Sequence, residues 1–191
     1  MGVKHGIAAA VTGVLLNVAI GTAPAAAQQS GSLASDSSFI LTAGSVGLLQ
    51  AKLGKLAAEK GSSAAVVEFG KRMTADYSKA NQELASAAKQ AAYPEPVLLR
   101  QHQKILDRFT RMGRGSFDKK YMAEVVKFHS DAVRLFRQES ESGRVQSLKQ
   151  LASTMLPELQ QRLTLATATG SAVGADVTAS SSQENQGSSR N

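Results

Sequence analysis

Apolar residues recur at alternating intervals of three and four along most of this chain, the rhythm of helices that bury one face. The first such stripe is Phe39, Thr42, Val46, Leu49, Leu53 and Leu56. Asp36 and Ser37, both good N-cap types, predict a helix that begins there. The Gly-Ser-Ser run at 61–63 predicts its end and the cap of the next, which carries Val66, Phe69, Met73, Tyr77, Ala80, Leu84 and Ala87. Pro94 and Pro96 cannot continue that helix. A shorter helix over 97–112 follows, with Leu98, Ile105, Phe109 and Met112 on one side and a Gly-Arg-Gly stop at 113–115. Ser116 predicts the cap of a fourth, with Phe117, Tyr121, Val125, Phe128, Ala132, Leu135 and Glu139 in its stripe and Gly143 at its end. The fifth shows Leu148, Ala152, Met155, Leu159, Arg162 and Ala166, with a kink expected at Pro157.

Four long stripes joined by brief turns predict an all-α fold, a four-helix bundle over residues 36–169 in which the short helix is a crossover between the second and fourth long segments. Residues 28–35 read as a polar lead-in. From 170 to 191 the chain is mostly Ser, Ala, Gly, Gln and Asn without periodicity, which predicts a disordered tail. The front of the chain differs again. Lys4 and His5 precede an uncharged apolar run from 6 to 20, and small residues lead to Ala25-Ala26-Ala27 before Gln28. That is the layout of a cleavable signal peptide over 1–27; the run is shorter than the ~20 residues a spanning helix needs. The expected address is therefore the periplasm or the periphery of an outer membrane.

Composition sharpens this picture in two places. Apolar residues make up 42% of the 191, enough for a core, whereas aromatics are only 5%, which favours helices over a sandwich or barrel. Cysteine is absent, so disulfides, thiolate metal sites and Cys nucleophiles are excluded.

Chemistry is sparse. Without the leader only His102 and His129 remain. A lone His at the edge of an apolar stripe is usually a hydrogen-bonded core or boundary residue; the alternative is a ligand role. Glu124 lies five residues before His129, at an angle unsuited to sharing one metal. There is no Glu-x-x-His pair of the di-iron bundles, and no Walker loop, HExxH or EF-hand pattern. Tyr77 and Arg162 interrupt the stripes, and a buried Arg162 requires a carboxylate or a route to solvent, with Tyr77 a possible acceptor for it.

Charge is more informative. Removal of the leader leaves a net +6, and most of that excess lies between Arg100 and Tyr121. Arg100, Lys104, Arg108 and Arg111 share the face of the short helix opposite its apolar stripe. Such a row is either a solvated face or a contact for anionic lipid headgroups or another acidic envelope polymer. It lacks interleaved aromatics, which argues against nucleic acid.

The motifs DSSF at 36–39, LGKLAAEK at 53–60, FGKRM at 69–73, FDKKY at 117–121 and Leu156-Pro157 together resemble a family of exported bacterial ferritin-like domains of unknown function, often labelled outer-membrane proteins. The resemblance covers about residues 36–168 and implies a ferritin-like bundle, with no established activity. It also implies histidines where this chain has Tyr77, His129 and Arg162, positions that could form a mononuclear metal or proton-binding site. Only His129 matches. The leading expectation is a non-enzymatic envelope protein, without a cofactor, that binds or plays a structural role. The alternative is a metal-binding or redox bundle using His129, with His102 and a carboxylate such as Glu68.

Overall fold

The computed structural model describes residues 25–178, with side chains from residue 35. Five helices and no strand occur among them: α1 (Ala25–Lys60), α2 (Ala64–Gln90), α3 (Arg100–Arg111), α4 (Arg114–Ser142) and α5 (Gln146–Ala172). The all-α expectation holds, with four long helices and one short connector. In the bundle α1 packs on α2 and α4, α5 packs on α4 and α2, and α3 lies against α1.

The stripes predict which residues fill the core. Leu49, Leu53, Met73, Tyr121, Val125 and Leu148 are all sealed from solvent. α1 buries more than its predicted stripe, adding Ile40, Ala43 and Ala57, because three neighbours rather than two pack against it. The interior falls into two apolar clusters along the bundle axis. One is centred on Phe69, Tyr121 and Val125, the other on Phe39, Phe136 and Leu148.

The helix ends differ from expectation. α1 starts at Ala25 rather than Asp36, so the lead-in at 28–35 is helical. Extending an existing helix backwards costs less than nucleating one, even through the Ser and Gly of this stretch. Asp36 instead reaches across the bundle, where its buried carboxylate accepts the backbone N–H groups of Arg144 and Val145 at 3.2 and 3.1 Å, capping α5. Asp118 does the same for α2, accepting from Ser62 and Ser63, while the Ser63 hydroxyl makes no cap bond. α4 starts at Arg114, ahead of the predicted Ser116, and the Arg114 guanidinium donates to the last carbonyls of α1 at Glu59 and Lys60. α3 begins only at Arg100; Leu99 is still extended, and its N–H donates to the Ser45 hydroxyl.

At the far end, α5 runs past Gly170 to Ala172, and Gly174 turns the chain in the left-handed conformation at φ +68°. Val173, Ala175 and Val177 then pack onto the first cluster. The predicted tail therefore contributes ordered, apolar contacts up to residue 178; the rest of it, and nearly all of the 1–27 leader, lie outside the described residues. No helix among the described residues is long and apolar enough to cross a membrane.

Candidate functional site

The three positions singled out by the resemblance converge. Tyr77 on α2, His129 on α4 and Arg162 on α5 are 5%, 0% and 7% exposed. The Tyr77 hydroxyl lies 3.1 Å from His129 Nε2, and His129 Nδ1 lies 2.9 Å from the Val125 carbonyl. A carbonyl only accepts, so Nδ1 carries the proton. Burial, aided by Arg162, lowers the His129 pKa to about 4 despite the Val125 bond. The ring is therefore neutral near pH 7 and Nε2 accepts from Tyr77. Burial likewise raises the Tyr77 pKa, which keeps that phenol a donor. Both ring nitrogens of His129 are thus in use.

Arg162 meets two carboxylates: Nε donates to Asp76 at 3.3 Å and Nη2 to Glu158 at 2.9 Å. Tyr77 is not its acceptor, contrary to expectation. The guanidinium instead lies over the Tyr77 ring, 5.6 Å from its centroid, a cation–π contact favoured by burial. Arg162 Nη1, the Gln50 amide and the Tyr121 hydroxyl are buried without hydrogen-bond partners among the described residues.

The proposed metal companions are scattered. His102 on α3 bonds the Ser45 hydroxyl through Nδ1 at 2.6 Å and packs edge-on against Phe128. Burial lowers its pKa, and the Ser45 hydroxyl, which already accepts the Leu99 N–H, has its own proton left to give to Nδ1. Glu68 is on the surface beside Lys71. Glu124 pairs with Arg108. No group of three His, Asp or Glu placed to hold a metal ion occurs among the described residues. The set His129, His102 and Glu68 expected for the metal-binding reading is not assembled.

The basic row is real but shorter than expected. Arg100, Lys104, Arg108 and Arg111 are all exposed on α3. Arg108, however, is committed to Glu124 and to the face of Phe109 at 5.2 Å. Arg100, Lys104 and Arg111 form no ion pair among the described residues, so their charges are available to a partner.

One feature escaped the sequence reading: a cavity of about 270 Å³ between the two apolar clusters, lined from α1, α2, α4 and α5. Its signal is the level at which Ala43, Gly47, Ala80 and Ala132 face one another. Such small residues look unremarkable when each stripe is read alone.

A family described as a domain of unknown function (DUF4142) matches residues 21–169. No curated protein and no solved structure matches the chain.

Proposed function

The chain belongs to the DUF4142 family, and we propose that it is an exported, non-enzymatic binding protein of the cell envelope, ferritin-like in form, that engages anionic partners through α3. The observation that carries this reading is the set of three cations without an ion pair among the described residues, Arg100, Lys104 and Arg111, exposed along one side of a helix whose other side is anchored by Phe109 and His102. A rigidly seated row of this kind presents its charge without first having to order a loop. Near an anionic surface each such Lys or Arg contributes about 1 kcal/mol, within a Debye length of ~8 Å at physiological salt. The charged leader at 1–27 supports export, and the periplasm or the outer-membrane periphery is the compartment it implies. The interior supports the non-enzymatic part: His129 spends both nitrogens on neighbours, and Arg162 is held between Asp76 and Glu158.

The test is co-sedimentation of the purified protein with vesicles containing phosphatidylglycerol, beside vesicles of phosphatidylcholine alone. Binding is expected only to the first, falling as salt rises, and falling at least tenfold in R100Q/K104Q/R111Q. Arg108→Gln alone is expected to have a much smaller effect on binding, because its charge is already neutralised by Glu124. Binding indifferent to salt, or to the triple change, would remove this reading.

A further inference from the structure

The cavity between the two core clusters rests on observations separate from the basic row. Three alanines and one glycine, Ala43 and Gly47 on α1, Ala80 on α2 and Ala132 on α4, line it at positions where Leu, Met or Phe would fill the space. Larger side chains stand at the same hollow: Tyr77 and Phe128 from one cluster, Leu84, Phe136, Met155 and Leu159 from the other. The half-exposed lining residues Thr42 and Val46 on α1, with Asp131 and Leu135 on α4, mark the side on which it opens to solvent.

Size and charge restrict the occupant. An engineered apolar cavity of about 150 Å³ takes benzene, so about 270 Å³ has room for roughly ten carbons on that scale. The walls are almost wholly apolar. Among the described residues that line it, the charged ones are Asp131 and Arg134, paired with each other, so neither sign is favoured in a ligand. Hydrogen-bonding capacity at the lining comes from the Thr42 hydroxyl and the Asn81 amide, both half-buried. Asn81 is seated by Gly47, where a Cβ would lie 2.1 Å from its Oδ1.

We propose that this cavity is a binding site for an uncharged, mainly apolar small molecule of about ten carbons with one polar end, of the class of a medium-chain alcohol. The chain enters between α1 and α4 and lies along Phe128 and Leu159. The polar end stays near Thr42 and Asn81, where an uncharged hydroxyl exchanges hydrogen bonds, whereas a carboxylate would give up its hydration beside an Arg134 already engaged by Asp131.

The experiment is a titration of the purified protein with 1-decanol, followed by tyrosine fluorescence, since Tyr77 lines the site and the chain has no Trp, and by thermal melting. Saturable binding with a rise in Tm of several degrees is expected, because a ligand bound only to the folded state stabilises it. Ala132→Leu and Ala80→Leu, which fill the hollow, are expected to weaken binding at least tenfold while keeping a Tm at or above that of the unchanged protein. Where either fails to fold, the smaller Ala43→Val serves the same purpose. Decanoate is expected to bind at least tenfold more weakly than decanol. Absence of decanol binding, binding undiminished in the folded filled variants, or decanoate binding as tight as decanol would each overturn the proposal.

Discussion

At the scale of single residues, the centre of the bundle is governed by who donates to whom. His129 gives its Nδ1 proton to Val125 and takes the Tyr77 proton at Nε2. Removing one partner leaves the other buried and unsatisfied, at a cost of about 1–3 kcal/mol, whereas removing both is far milder. Tyr77→Phe is therefore expected to lower unfolding free energy in urea by about that amount. The double variant Tyr77→Phe/His129→Leu should lose clearly less than the two single changes added together. Strict additivity would show that the pair is not coupled. The sequence placed Tyr77, His129 and Arg162 on buried stripes, because periodicity reports direction around a helix axis. It could not report axial level, so neither the Tyr77–His129 bond nor the stacking of Arg162 on the Tyr77 ring was legible. Both depend on how far each helix slides along its neighbours.

Helix interiors and helix ends differ in how local their causes are. Interiors follow from 3.6-residue spacing, which any window of the chain displays. The ends are set by residues far away in sequence: Asp36 caps α5 at Val145, Asp118 caps α2 at Ser63, and Arg114 closes α1. That is why Asp36, read as the start of its own helix, serves the start of another. Asp118→Ala is expected to destabilise by about 1 kcal/mol, with losses up to ~2 for a cap of this kind. Its effect should exceed that of Ser63→Ala, whose hydroxyl makes no cap bond. The C-terminus of α2 offers the opposite sign. Ala92 sits at φ +58° while Tyr93 N–H bonds back to the Ala88 carbonyl, a left-handed turn that favours glycine. Ala92→Gly is expected to raise stability by roughly 0.5–1 kcal/mol, visible as a higher urea midpoint with unchanged slope. A lower midpoint would mean that the turn is not strained.

For the whole molecule, two buried groups at different levels of the bundle pull stability in opposite directions with pH. His129, facing Val125, Tyr77 and Arg162, has its pKa depressed to about 4. The folded state resists its protonation, so this contribution is full above about pH 6.5 and lost as pH falls toward 4. Glu139 has its pKa raised to about 7, first by burial, then by the charge of Asp36 and the hydrogen bond to it, with Lys149 opposing. The folded state prefers that carboxyl protonated, so its contribution is full below about pH 4.5 and lost as pH rises toward 7. The two shifts have opposite signs in linkage, so they offset each other in part. Between pH 4.5 and 6.5 the two slopes oppose each other, and the urea midpoint of the unchanged protein is expected to vary less with pH than that of either variant below. Glu139→Gln keeps a donor toward Asp36 but cannot ionise, so its midpoint should climb with pH across that window under His129, with His102, whose pKa burial also lowers, sloping the same way. His129→Leu should show the reverse, a midpoint that declines as pH rises. If Glu139→Gln instead tracks the unchanged protein at every pH, the Asp36–Glu139 pair is not the source of the compensation. The depressed pKa of His129 would then be in doubt too, because ion-paired surface carboxylates also lose stability as pH falls and cannot offset its slope. Repeating the series at high ionic strength separates buried from surface contributions, since burial keeps the His129 and Glu139 slopes while salt screens those of the surface pairs.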